Sequence, residues 1–245
     1  MKESTKAIVT GHSKGLGEAI ALNLLSRGIP VLGLARHASS ALTQQYPSLC
    51  VQNRIDLANP AAMLEWLNSG ELESFVSDCA TVLLVNNAGT VQPVGSLHQQ
   101  APADVAAAVS LNVTAPLMLA AAVSQATPGS ERRILHVSSG AARSAYPGWS
   151  VYCATKSALD HHARAVQMDA EEGTRICSLA PGIIDTGMQA AIRATPDDIF
   201  PLRQRFLDLH RQGQLVAPAD CAAQLVSYLL ADTFGGKAVD DLRHT

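Results

Sequence analysis

The order of strand, glycine turn and helix at the start of the chain constrains its fold more than any other feature. Lys6–Thr10 is a short β-branched run, Gly11-His12-Ser13-Lys14-Gly15-Leu16-Gly17 breaks it, and a helical pattern over Glu18–Arg27 follows. The same alternation continues along the chain. Strands are expected at Pro30–Ala35, Val51–Ile55, Thr81–Val85, Arg133–Val137, Arg175–Leu179 and near Lys237–Val239. Helices are expected at Asn59–Leu67, Asp104–Val123, Tyr152–Glu171 and Pro218–Ala231. Pro116 should kink the Ala-rich helix that contains it. Strands that alternate with helices imply right-handed βαβ units and a parallel sheet. Nearly continuous apolar strands imply that helices cover both faces of that sheet. Thr186–Gln214, with Pro196 and Pro201, leaves this rhythm and reads as an insertion of helices and loop over one end of the sheet.

The glycine turn sits where a nucleotide's phosphates would. Gly11 permits the tight turn, and Gly15 and Gly17 let the backbone approach a pyrophosphate at a helix N-terminus. A site for NAD ends its second strand with an acid that bonds the ribose 2′-hydroxyl. Here that position reads Leu34-Ala35-Arg36-His37. Arg36 can hold a 2′-phosphate bidentately, and Lys14 adds a second positive charge, so NADP(H) is the expected cofactor.

A second constellation lies downstream. Tyr152 and Lys156 are four residues apart on an expected helix and so share one face. An ammonium near a phenol favours phenolate and should lower the tyrosine pKa, which suits proton exchange at neutral pH. Ser139, at the end of a strand, could hydrogen-bond a carbonyl oxygen.

Taken together these residues resemble the short-chain dehydrogenase/reductase family. The glycine loop, Asn86-Asn87-Ala88-Gly89, Asn112, Ser139, Tyr152, Lys156 and Pro181-Gly182 through Thr186 match its motifs in order over essentially the whole chain. The resemblance implies a single-domain Rossmann fold, a doubly wound seven-stranded parallel sheet with helices on both faces. It also implies direct hydride transfer without a metal. Tyr152 would be the general acid, Lys156 would tune it and bond the nicotinamide ribose, Ser139 would orient the carbonyl, and Asn112 would hold a relay water. The cofactor would lie along Gly11, Ser13, Lys14, Gly15, Leu16, Gly17 and Arg36. Asn87, Ala88 and Gly89 would line its adenosine side, and Asp56 and Leu57 would meet the adenine. Pro181, Gly182, Ile184 and Thr186 would hold the nicotinamide end. Relatives assemble as dimers or tetramers through helices matching Asp104–Val123 and Tyr152–Glu171.

Within the family, Gly148–Cys153, Asp185–Gln189, Gly213–Val216 and Gly235–Asp240 resemble sepiapterin reductases and related bacterial benzil reductases. Asp240 matches a pterin-anchoring acid, but Asp241-Leu242-Arg243 replaces the aromatic ending of the pterin enzymes. The expected substrate is therefore a small ketone or 1,2-dicarbonyl, diketone or pterin. Tyr146, Trp149, Met188 and Gln189 are expected in its pocket. Two other readings are a non-catalytic NADP-binding sensor and an NAD-dependent alcohol dehydrogenase. The four-residue catalytic set opposes the first, and Arg36 with Lys14 opposes the second.

Composition narrows the remaining classes. The chain has 245 residues, 47% apolar, enough for one sizeable core. A net charge of −3, with no run of Lys and Arg, lacks the footprint of a nucleic-acid binder. The opening Met1–Lys6 has no apolar leader, and the most apolar stretch, Pro116–Val123, is too short to span a bilayer. Five scattered cysteines suit neither disulfides nor zinc and point to a cytoplasmic protein.

Overall fold

The computed structural model describes residues 4–244; the first three residues of the polar opening segment lie outside the described residues. In chain order the elements are β1 (Thr5–Thr10), α1 (Gly15–Ser26), β2 (Val31–Ala35), α2 (Ser40–Gln45), β3 (Cys50–Arg54), α3 (Pro60–Leu67) and α4 (Glu71–Val76). Next come β4 (Thr81–Asn86), α5 (Pro102–Val109), α6 (Ala115–Ala126), β5 (Glu131–Val137), α7 (Ser150–Asp169) and β6 (Thr174–Ala180). The chain closes with α8 (Gly187–Ala194), α9 (Arg203–Arg211), α10 (Pro218–Leu230) and β7 (Val239–Asp241).

The seven strands form one parallel sheet in the order β3-β2-β1-β4-β5-β6-β7. Side chains alternate through it with the period of two that a strand imposes. Ala7 and Val9 face a core made with α1, α2 and α10, whereas Ile8 faces one made with α3, α4, α6 and α7. This is the doubly wound Rossmann sheet with helices on both faces. A third cluster, around Trp149 and Phe200, joins the α8–α9 region to the start of α7.

The Ala-rich helix is continuous but loosens into a π-helical turn over Ser110–Thr114, directly before Pro116, whose missing N–H leaves the ladder incomplete there. One expectation needs correction. The helical run Pro102–Ala126 is 25 residues long and apolar, so shortness is not what distinguishes it from a membrane span. Its Leu119 and Val123 instead pack into the core on one face of the sheet.

Candidate active site

The strand order reverses between β1 and β4, and in such sheets ligands lie outside the strand ends at that switch point. Thr10 closes β1 there. Its Oγ1 accepts hydrogen bonds from the Asn87 and Ala88 N–H groups, both at 2.9 Å, and its carbonyl accepts one from Asn87 Nδ2 at 2.9 Å. Gly11, at φ +70°, turns the chain into α1. A Cβ at Gly17 would stand 2.2 Å from the Gly11 carbonyl oxygen, so only glycine fits where this turn meets α1. A Cβ at Gly15 would stand 3.6 Å from Thr186 Cγ2, which brings the Thr186 segment to the rim of the same cradle. Lys14 and Arg36 are exposed, Ser13 is half-buried and Leu16 is buried. Among the described residues, neither Lys14 nor Arg36 forms an ion pair.

The catalytic candidates converge beside this cradle. Asn112, in the π-helical turn, is buried. Its Oδ1 accepts from Thr90 N at 2.8 Å, and its Nδ2 donates to Thr90 O at 2.8 Å and to Thr155 Oγ1 at 3.1 Å. It thereby ties the segment after β4 to α7. A Cβ at Gly89 would stand 3.3 Å from Asn112 Oδ1 and 3.6 Å from Lys156 Nζ, which sets Gly89, Asn112 and Lys156 around one point. Lys156 Nζ donates to Val137 O at 2.8 Å and lies 5.7 Å from the centre of the Tyr152 ring.

Burial dominates the electrostatics here. It pushes the Tyr152 phenol up to about 12, opposed by a hydrogen bond with Ser139. It also pulls Lys156 down to about 8, opposed by the charge of Asp160. The lowered tyrosine expected from the Tyr–Lys spacing is therefore absent, because desolvation of the phenolate outweighs the hydrogen bond with Ser139.

The sequence reading passed over Asp160, which is 2% exposed. Its carboxylate accepts from Ser138 Oγ at 2.6 Å, Ser178 Oγ at 2.7 Å and Arg143 Nε at 3.2 Å. Tyr152, Lys156 and Asp160 are spaced by four along α7, so helical periodicity carried the signal. Thr10 was missed too, although it directly precedes the glycine turn.

The remaining candidates divide. Pro181 and Ile184 are buried, and Gly182, at φ +85°, borders the Arg243 side chain. Asp56 is exposed and its Oδ1 accepts from Ala58 N at 3.0 Å, while Leu57 is buried in the core beneath α3. Trp149 is a packing hub. Phe200 stacks on it at 4.8 Å, and Tyr152, Phe206 and Tyr146 meet it at 5.4, 5.4 and 5.7 Å. Tyr146 is half-buried and its hydroxyl borders Gly140. Met188 is 37% exposed, and the buried Gln189 Oε1 has no hydrogen-bond partner. Asp240 is engaged by Tyr228 at 3.2 Å and Lys237 at 3.4 Å. Its neighbour Asp241 instead pairs with Arg243 at 2.6 Å and Arg143 at 3.8 Å.

The short chain dehydrogenase family model matches residues 5–197. A benzil reductase ((S)-benzoin forming) of Bacillus cereus is 33% identical, covering 93% of this chain and 94% of its own. A sepiapterin reductase of Rattus norvegicus is 34% identical, covering 95% of this chain and 94% of its own. Among solved structures, a short-chain dehydrogenase/reductase from Burkholderia vietnamiensis superposes with a TM-score of 0.73 at 46% identity, over 99% of both chains.

Proposed function

The chain belongs to the short-chain dehydrogenase family, and on that premise we propose that it is an NADPH-dependent reductase of small ketones or 1,2-dicarbonyls, with Tyr152 as the general acid. The observation that carries this reading is the convergence of Ser139, Tyr152, Lys156 and Asn112 beside the glycine cradle. The benzil and sepiapterin reductases among its relatives support a carbonyl substrate.

The residues present fit a dinucleotide. The turn at Gly11, Ser13, Lys14, Gly15, Leu16 and Gly17 packs so closely, with a Cβ at Gly17 meeting the Gly11 carbonyl at 2.2 Å, that only glycines would let its backbone approach a pyrophosphate. The free cations Arg36 and Lys14, with no acid ending β2, favour a 2′-phosphate. Asn87, Ala88 and Gly89 would line the adenosine side, with Asp56 and the Leu57 backbone beyond. Pro181, Gly182, Ile184 and Thr186 would hold the nicotinamide end. When bound, the cofactor supplies the hydride.

The chain's own groups handle the proton. A phenol held at about 12 keeps its proton at neutral pH, as the acid of a reduction must. Ser139 donates a hydrogen bond to the carbonyl oxygen and Tyr152 delivers the proton to it. Lys156, at about 8, is mostly protonated at neutral pH and stabilises the phenolate left behind. Asn112 holds the water that returns a proton through Lys156. Tyr146, Met188 and Gln189 would border the substrate, with Trp149 buttressing that wall and residues 186–214 covering it. Asp240 would serve as a pterin anchor only if released from Tyr228 and Lys237, so a diketone is the favoured substrate.

An apolar groove of about 720 Å³ runs between α5 and α7, lined by Val105, Val109, Val113, Val151, Ala154 and Ala158. A second copy of the chain would cover it and form a homodimer or a homotetramer. The five free thiols suit a reducing cytoplasm.

The test is NADPH oxidation with benzil, sepiapterin and simple aldehydes, each repeated with NADH. Turnover of diketones with NADPH is the expected result. Cofactor binding without turnover on any carbonyl would favour the sensor reading, and turnover only with NADH would overturn the cofactor assignment.

A further inference from the structure

His12 is an unusual residue to bury inside a phosphate-binding turn, and it is fully buried. Its ring crosses β2 at Gly33, where a Cβ would stand 2.4 Å from the imidazole. Only a glycine lets the ring pass. Gly33 pairs in register with Gln52 of β3, and His12 Nε2 meets Gln52 Oε1 at 2.8 Å.

Gln52 in turn grips one residue from both sides. Its Oε1 accepts from Ser39 N at 2.7 Å, and its Nε2 donates to Ser39 O at 3.1 Å and Thr43 Oγ1 at 2.8 Å. That two-way grip fixes the amide's orientation, so His12 must be the donor to Oε1. Ser39 caps α2 by accepting from Leu42 N at 3.3 Å, and its hydroxyl donates to Glu18 Oε1 on α1 at 2.5 Å. The chain between the end of β2 and Ser39 is only Arg36, His37 and Ala38, all exposed. One end of this span is set by the sheet. The other is set by Ser39, and so by Gln52 and His12.

We propose that His12, acting through Gln52 and Ser39, is the positioning residue that sets the site's preference for a 2′-phosphorylated adenosine. This rests on the NADP(H) reading above. The geometry gives the reason. Arg36 can hold a phosphate bidentately only if its backbone is held still, because the long side chain already carries its own rotamer entropy. Burial lowers the His12 pKa and keeps the ring neutral, so it acts as a fixed donor and adds no positive charge of its own. Gln52 and Ser39 lie outside the glycine cradle, whose close packing is that of Gly11 and Gly17, so a change at Gln52 separates the hold on Arg36 from binding of the dinucleotide as a whole.

The experiment measures binding, by calorimetry, of 2′,5′-ADP and 5′-AMP to the wild type and to His12→Ala, Gln52→Ala and the double variant. The wild type should prefer 2′,5′-ADP. Gln52→Ala should weaken 2′,5′-ADP about tenfold, the scale of a charge-assisted hydrogen bond, and leave 5′-AMP within about twofold, while His12→Ala should lower the preference for 2′,5′-ADP over 5′-AMP by the same factor. The double variant should be little worse than either single one, because both break the same chain of contacts. Should His12→Ala fail to fold, Gln52→Ala carries the test alone, since Gln52 is half-buried. Equal weakening of both nucleotides would make His12 a packing residue and overturn the inference, as would an unchanged ratio. A wild type without preference would instead overturn the NADP(H) reading, and the inference with it.

Discussion

At the residue scale, the proposed chemistry depends on how burial shifts two groups that spacing alone would place but not tune. Spacing put Tyr152 and Lys156 on one helix face, and the structure agrees. Their protonation could not be read from spacing, because desolvation is a property of everything packed around them. With Lys156 at about 8, the reduction rate should fall as pH rises through that value and the ammonium is lost. Asp160→Asn removes the charge that holds this pKa up, so the alkaline limb should move to lower pH. A pH–rate profile checks this, and a limb that stays in place would detach Asp160 from Lys156. Trp149 shows the same limit of legibility. A tryptophan before a catalytic helix reads equally as pocket or packing, and only Phe200, Phe206 and Tyr146 closing on its ring decide for packing.

At the scale of elements, the sequence read well where a pattern was long. All seven strands and the five expected helices are present, with small shifts at their ends. Two six-residue helices, α2 and α4, were missed because fewer than two turns carry no usable period. The π-helical turn at Ser110–Thr114 sits directly before Pro116, the visible breaker, and also carries the buried side chain of Asn112, whose bonds to Thr90 and Thr155 leave no mark in composition. Element joins also yield predictions. Gly17→Ala would drive a methyl into the Gly11 carbonyl and should cost about 1–3 kcal/mol, seen as a lowered melting temperature together with lost nucleotide binding. His136, buried on β5, accepts from Asn86 at 3.2 Å and bonds His162 on α7 at 3.1 Å. Its pKa falls to about 3, mainly through burial, from 6.5 in the unfolded chain. Between those values the unfolded state binds more protons, so stability is lost as pH drops through that window. His136→Asn should flatten this slope in urea midpoints measured from pH 7 to 4, and an unchanged slope would place the acid sensitivity elsewhere.

At the scale of the whole molecule, strand–helix alternation was enough to specify a doubly wound sheet, and the candidate motifs fall at its switch point. Contacts that cross the sheet, such as His12 over Gly33, were illegible because they join residues 21 positions apart through an absent Cβ. Assembly belongs to this scale too. Val109, 40% exposed on the α5–α7 groove, should be covered by a second copy. Val109→Glu should shift the mass in light scattering towards the monomer, because a carboxylate buried without a partner is costly. A mass that does not change would place the interface on another face. On the proposed reading the whole arrangement reduces a carbonyl with NADPH through Tyr152. Benzil-dependent NADPH oxidation by the wild type and Tyr152→Phe, with NADPH affinity measured in parallel, tests this. Wild-type turnover, a loss of about 10²–10⁴-fold in the variant, and NADPH binding within about twofold are expected. Turnover that persists in Tyr152→Phe would remove Tyr152 as the acid.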